Sequence, residues 1–216
     1  MIAPWKFQCE NLHIQFDAKL CLERLAPKIT NALNVLPSEA KISQQMLLTI
    51  SKMRSTCYSE NDFITSHEAI LKVIIELHSA QYYFPVLAIV DAPHSITRGA
   101  FLGYAKYIGE VQFENTFSKF WLEGVENTVQ FKILSSEIED ISLFPHLTYR
   151  NYCTSDFQAR GLSVLDITNH ITSPVLKCTF LEVHIPFLES CGIKPISPFK
   201  AGMVSDSFTV NGAIYV

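Results

Sequence analysis

Hydrophobic and polar positions along the chain predict β-strands far more often than helices. The run His13 to Phe16 (H-I-Q-F) alternates over a short span and reads as a strand. Residues 69–77 (A-I-L-K-V-I-I-E-L) and 82–90 (Y-Y-F-P-V-L-A-I-V) are longer apolar runs rich in β-branched and aromatic residues. The polar connection His78 to Gln81 between them is short, which predicts a hairpin. Residues 111–134 alternate and contain the turn-like pairs E-G and E-N, with Val129 to Leu134 the clearest strand of that region. Met46 to Ile50, Leu162 to Ile167 and Val175 to Val183 read as further strands, and Asn211-Gly212 predicts a hairpin closing the C-terminal run D-S-F-T-V-N-G-A-I-Y-V.

Helical signals concentrate near the N-terminus. Asp17 is placed to cap a helix with Leu20, Leu22 and Leu25 on its apolar face, and Pro27 ends or kinks it. A second helical or irregular piece covers Ile29 to Val35 before L-P-S-E-A-K breaks the pattern. The stretches Ser55 to Asp62, D-A-P-H (91–94), I-P-F-L (185–188) and residues 191–200 read as loop or turn, and Glu137 to Asp140 is an acidic patch. There is no internal repeat and no linker rich in Gly or Ser. The expected architecture is one α+β, β-dominated domain over residues 1–216, with one or two N-terminal helices.

Composition refines this picture in a few places. Hydrophobic residues make up 48% of the 216 positions and charged residues 18%, with 15 Phe and 8 Tyr. Such a chain needs a large β-rich core or an apolar subunit interface, so a homo-oligomer is expected. A net charge of −4 with no basic run leaves no electrostatic footprint for nucleic acid. The longest apolar run, Tyr82 to Val90, is too short to span a bilayer as a helix, and the N-terminus lacks a charged segment followed by an apolar one. A cytoplasmic protein with no membrane association is therefore expected. The 6 cysteines form no CxxC pair, so free thiols are expected. The 7 histidines show no HExxH spacing, and GxGxxG, P-loop and GxSxG motifs are all missing, so neither a metal nor a cofactor is expected.

The candidate chemistry lies in Arg98 to Gly109, R-G-A-F-L-G-Y-A-K-Y-I-G. One lysine, Lys106, stands there among glycine, aromatic and aliphatic neighbours, and the nearest charges in sequence are Arg98 and Glu110. Burying an ammonium is costly, so an apolar setting favours the neutral amine, which is the nucleophilic form. The bland alternative is a lysine whose stem is buried and whose head reaches water at a strand end. By the same default Tyr104 and Tyr107 are core aromatics and Arg98 a buried structural arginine.

Several stretches resemble the acetoacetate decarboxylase family. T-R-G-A-F-L-G-Y-A-K-Y-I-G is similar to the family motif G-R-E-x-x-G-[FY]-P-K-K-L at Arg98, Gly103, Tyr104 and Lys106, and Gly109 also fits. S-H-E-A-I (66–70) resembles the family's Y-x-E strand, followed by the apolar 82–90 run and a D-x-P/A turn. F-D-A-K-L-C-L-E-R-L-A-P is similar to a helix ending in L-L-P, and the C-terminal run from H-I-P-F-L resembles the closing segment. The likeness covers most of the chain. It implies curved antiparallel sheets forming a barrel-like core, a catalytic Lys106 that forms a Schiff base with a small-molecule carbonyl substrate, a catalytic Glu68, and Tyr104 and Arg98 as substrate-binding residues; Tyr107, outside the motif match, is a second candidate substrate-binding hydroxyl if it points inward.

The departures from the family pattern shift the expected reaction. Tyr107 stands where the motif has its second lysine, Ala105 replaces the proline and Gly99 the glutamate. No arginine occurs in residues 6–16, where family decarboxylases carry one for the substrate carboxylate. Activation of Lys106 then rests mainly on desolvation. A protonated imine is an electron sink that serves decarboxylation, aldol, dehydration or cyclisation chemistry on a keto acid alike. The implied activity is a lysine-dependent lyase or related biosynthetic enzyme, and the alternative is a non-catalytic small-molecule-binding member of the same fold.

Overall fold

The computed structural model describes residues 4–56, 62–122, 124–137, 145–150 and 161–215. Most of the expected 55–62 loop, the acidic patch beyond Glu137, and Cys57 and Cys153 lie outside the described residues. The N-terminal half contributes β1 (Trp5–Leu20), α1 (Pro27–Leu33), β2 (Lys41–Thr56), β3 (Phe63–Leu77), β4 (Ala80–Val90) and α2 (Pro93–Leu102). Next come β5 (Lys106–Ile108), β6 (Val111–Glu114), β7 (Phe117–Leu122), β8 (Val125–Glu137) and β9 (Leu147–Arg150). The chain continues with β10 (Gly161–Thr172), β11 (Leu176–His184), α3 (Phe187–Ser190), β12 (Ile193–Pro195) and β13 (Lys200–Tyr215). The β-dominated α+β reading holds.

One large curved sheet runs in the order β5-β4-β3-β2-β1-β13-β11-β8-β7-β6, with β10 joined to β13 and β9, and β12 to β1. Its pairs are antiparallel except β4–β5. That exception departs from the all-antiparallel expectation. Its cause is α2, which carries the chain back as a crossover so that β5 re-enters alongside β4 in the same direction.

Alternation along β1, β2 and β3 sends residues to two different environments. Leu12, Ile14, Phe16, Met46, Leu48, Ile50, Ala69, Leu71 and Val73 enter the main core. The intervening residues Phe7, Cys9, Asn11, His13, Thr49, Ser51, Met53, Glu68, Ile70 and Lys72 line a cavity on the opposite face. Both faces are covered, so the central strands read as nearly continuous buried runs rather than inside-outside alternations.

The β3–β4 hairpin forms as expected: Leu77 pairs with Ala80 across His78 and Ser79, which both adopt positive φ (51° and 64°). Those backbone angles match the primed turn that suits strand twist.

Three local expectations are corrected. Asp17 does not cap a helix: β1 runs on to Leu20, held by Ala18↔Pro195 and Leu20↔Ile193 pairing with β12, and only a 3₁₀ turn follows at Leu22–Arg24. Pro27 begins α1 rather than ending a helix, because its missing N–H costs nothing at the first helical position. Asn211-Gly212 does not turn back. Gly212 pairs with Asp166 and Val210 with Ile167, so Asn211 is the extra residue of a β-bulge within one long strand. Pairing with β10 on both sides of the bulge outweighs the local turn preference. In addition, part of the presumed loop at 185–200 forms α3 and β12.

Among the described residues no helix is long and apolar enough to cross a membrane. Cys9, Cys21 and Cys178 are free thiols.

Candidate active site

α2 and the turn after it set the position of Lys106. Pro93 sits in the first turn of the helix, where proline is tolerated. Gly103 ends the helix at φ 84°, a left-handed position that glycine adopts without a Cβ clash. Its N–H and that of Tyr104 both reach the Gly99 carbonyl, the latter at 2.8 Å. The reversal aims Tyr104 into the cavity and lets β5 pair with β4 at once, Lys106 opposite Ala88.

Gly99 has a second use. A Cβ built there would lie 2.8 Å from Cδ and 2.9 Å from Cγ of Lys106. The lysine stem therefore runs over the bare backbone of α2, a passage that a side chain at position 99 would crowd.

The amine ends in a buried polar cluster. Lys106 Nζ donates to Glu68 Oε1 at 2.5 Å and to Ser95 Oγ at 2.9 Å, and the Ser95 hydroxyl donates to the same carboxylate. The lysine and glutamate side chains are only 8% and 2% exposed. Burial pushes the Lys106 amine below its ordinary pKa, and the Arg98 guanidinium adds to that. The charge and hydrogen bond of Glu68 oppose it. Desolvation is the largest influence, in keeping with the loss of the motif's second lysine.

These groups stand on the wall of a cavity of about 580 Å³. Tyr104 lines it, and its hydroxyl lies 2.5 Å from His146 Nδ1. Burial, reinforced by the Glu68 charge, pushes the phenol up, and burial pushes His146 well down. Both are neutral near pH 7, so this is a tyrosine–imidazole hydrogen bond rather than an ion pair. Arg98 also lines the cavity at 1% exposure, with Nη1 on Ser55 Oγ (2.9 Å) and the Thr56 carbonyl (3.3 Å) and its guanidinium over the Phe7 ring.

Deeper along the same face, Lys72 Nζ donates to Thr49 Oγ1 at 3.2 Å, and His13 Nδ1 approaches that oxygen at 3.0 Å. Asp206 accepts from Asn11 Nδ2 at 2.8 Å, and Asn11 in turn accepts from Ser51. No group of three or more His, Cys, Asp or Glu side chains among the described residues is placed to hold a metal ion.

Four of the five residues singled out from the sequence thus meet at one cavity: Lys106, Glu68, Tyr104 and Arg98. Tyr107 does not. It follows Lys106 on a strand, so it faces the other side of the sheet, where Lys28 sits over its ring at 4.5 Å. The expectation of a substrate contact from Tyr107 is corrected accordingly. His67 likewise faces away from Glu68 and pairs with Asp91.

Sequence reading missed Ser95, His146 and Lys72. The first two lie in turn-like stretches without a motif. Lys72 carried a readable signal, since it is a lone lysine in an apolar strand, four residues from Glu68 and so on its face.

Comparison with known proteins finds no matching family model and no matching curated sequence. Solved structures do match. An acetoacetate decarboxylase-like enzyme from Sphingomonas wittichii RW1 superposes with a TM-score of 0.70 at 16% identity, covering 100% of this chain and 94% of that one. The acetoacetate decarboxylase of Legionella pneumophila gives 0.69 at 13% identity, with 100% and 88% coverage. The enduracididine biosynthesis enzyme MppR, solved in complex with pyruvate, gives 0.67 at 14% identity, with 99% and 90% coverage. The chain has the acetoacetate decarboxylase fold.

Proposed function

We propose that this chain is a divergent acetoacetate decarboxylase-family enzyme in which Lys106 forms a Schiff base with a carbonyl substrate. The observation that carries this reading is the buried Lys106–Glu68–Ser95 cluster at the wall of a largely apolar cavity. MppR, which shares the fold, has been solved with pyruvate and with the condensation product of pyruvate and imidazole 4-carboxaldehyde, and both ligands favour a carbonyl substrate.

The cluster suits both proton transfers that imine formation requires. Glu68 takes the ammonium proton, and the neutral Lys106 amine attacks the carbonyl carbon to give a carbinolamine. Protonated Glu68 returns the proton to the departing hydroxyl, water leaves, and the nitrogen becomes an iminium. Ser95 donates to Glu68 and accepts from Lys106, so it keeps carboxylate and amine in register through the exchange. The iminium then accepts the electron pair released by loss of CO₂ or of an α-proton, and in the second case Glu68 is the nearest base. Tyr104, 5.6 Å from Nζ at its ring centroid and backed by His146, is placed to donate to a substrate oxygen.

A non-catalytic binding protein is the second reading. The observation favouring it is the Glu68 charge, which opposes loss of the proton from the amine. Borohydride reduction in the presence of pyruvate, acetoacetate and a panel of longer keto acids and aldehydes separates the two. The enzyme reading predicts a mass adduct on Lys106 that disappears in Lys106→Ala. No adduct with any member of the panel would sink it.

A further inference from the structure

The cavity contains a second buried amine that imine chemistry at Lys106 does not use. Lys72 is 4% exposed, lines the cavity and sits on β3 four residues beyond Glu68, on the same face. Its Nζ has a hydroxyl partner, Thr49 Oγ1 at 3.2 Å, and stands 5.7 Å from the centre of the Tyr83 ring. Among the described residues no carboxylate lies within ion-pair distance of it.

The two lysines differ in this respect. Lys106 has its charge matched by Glu68 at 2.5 Å, whereas the ammonium of Lys72 is held by neutral groups. Asp206, the other acidic group on the cavity wall, is already engaged by Asn11 at 2.8 Å and His170 at 3.3 Å. Burial and the Lys72 charge push His13 down to about 3, so it is neutral. Its Nδ1 shares the Thr49 hydroxyl with Lys72, and its Nε2 is buried without a hydrogen-bond partner. This end of the cavity therefore holds a buried ammonium with no carboxylate in contact, attracted only at a distance by Glu68 and Asp206, and an entering anion would pair with it directly.

We infer that Lys72 is the recognition site for an anionic group, most simply a carboxylate, on the substrate whose carbonyl reacts at Lys106. The inference rests on the Schiff-base reading and narrows the substrate class by distance. The Cα atoms of Glu68 and Lys72 are about 13 Å apart at ~3.3 Å per strand residue. Lys72 leans back to Thr49, which pairs with Ile70 midway between them, while Lys106 is bonded to Glu68. The two amines are therefore roughly 7–10 Å apart. A carboxylate directly on the carbonyl, or one carbon away, falls short of that span. About two to four carbons between carbonyl and carboxylate bring both groups within bonding reach. The class is a medium-length γ-, δ- or ε-oxo acid rather than pyruvate or acetoacetate.

Two measurements test this, one of them independent of imine formation. First, borohydride trapping compares 5-oxohexanoate with its methyl ester, in the native protein and in Lys72→Met. The acid is expected to trap Lys106 at a concentration at least tenfold lower than the ester does, and Lys72→Met is expected to reduce that acid-to-ester ratio at least tenfold. An unchanged ratio in the variant, or no preference for the acid in the native protein, overturns the inference while leaving Lys106 chemistry intact. Second, calorimetry measures hexanoate, which has no carbonyl. Native protein is expected to bind it and Lys72→Met to bind it at least tenfold more weakly, with a thermal unfolding curve confirming that the variant is folded. Hexanoate that fails to bind, or binds both proteins equally, rejects the Lys72 site. No trapping of any carbonyl compound rejects the Schiff-base reading, and the hexanoate result still decides the role of Lys72.

Discussion

Replacing Lys72 by methionine should stabilise the free protein near neutral pH, and the gain should vanish in alkali. Burial lowers the Lys72 amine from its ordinary 10.5 to about 8, against the opposing pull of Glu68, Asp206 and Cys9. A lysine with a lowered folded pKa is a liability while it is charged. Below pH 8 both folded and unfolded chains carry the proton, and the full desolvation cost acts against folding. Between about 8 and 10.5 the unfolded chain binds more protons, so native stability rises with pH. At 1.36 kcal/mol per pH unit the difference corresponds to about 3 kcal/mol at pH 7. Losing the Thr49 hydrogen bond returns roughly 1 kcal/mol. Methionine nearly matches the lysine stem in volume and shape, so packing is conserved. The net expectation is a variant about 2 kcal/mol more stable at pH 7, or several degrees in Tm for a chain of this size. At pH 10.5 it should be equal to the native protein or slightly weaker. Urea unfolding of both proteins at the two pH values is the assay. A variant less stable than the native protein at pH 7, or a stability difference that does not change with pH, would refute the reasoning. The expected result would also mean that this amine is held in the cavity at a cost to stability, the usual mark of a functional group.

Three further outcomes follow from the site geometry. Glu68→Gln removes the charge and weakens the hydrogen bond that raise the Lys106 pKa, so the pH midpoint for reaction of that amine with an acylating reagent should move down, as followed by peptide mass spectrometry. Gly99→Ala puts a methyl group 2.8–3.1 Å from three stem carbons of Lys106; adduct yield should fall tenfold or more while stability falls by no more than about 2 kcal/mol, measured by trapping and urea unfolding on the same preparation. Tyr104→Phe breaks the His146 hydrogen bond inside the cavity and should slow adduct formation, whereas Tyr107→Phe alters the opposite face of the sheet and should leave its rate within twofold of native; equal effects from the two would contradict the assignment of faces.

Much of the strand content was legible because alternation, β-branching and turn chemistry act over a few residues. The β3–β4 hairpin was readable for that reason, although the turn proved to be His78-Ser79 rather than the whole of His78 to Gln81. Lys106 was legible because an ammonium in an apolar stretch is anomalous wherever the chain goes. Glu68 and Tyr104 were reached through a resemblance, and the structure brings both to the cavity that Lys106 lines.

Other features were decided only when distant segments met. Asp17 has the chemistry of a helix cap, yet a strand that pairs with β12 and β13 across the same stretch satisfies more backbone groups than a short helix would. Asn211-Gly212 has the chemistry of a tight turn, yet β10 supplies pairing partners on both sides of it. Period-two alternation places Glu68, Ile70 and Lys72 on one face, but it cannot say whether that face meets solvent, core or cavity. That answer depends on α2, β10 and the 145–146 segment closing over it, contacts between residues far apart in sequence. The same closure sets Lys106 against Glu68 and leaves Lys72 without a carboxylate in contact. A lysine's environment is a property of everything packed around it, and local sequence reports only its two neighbours on the strand.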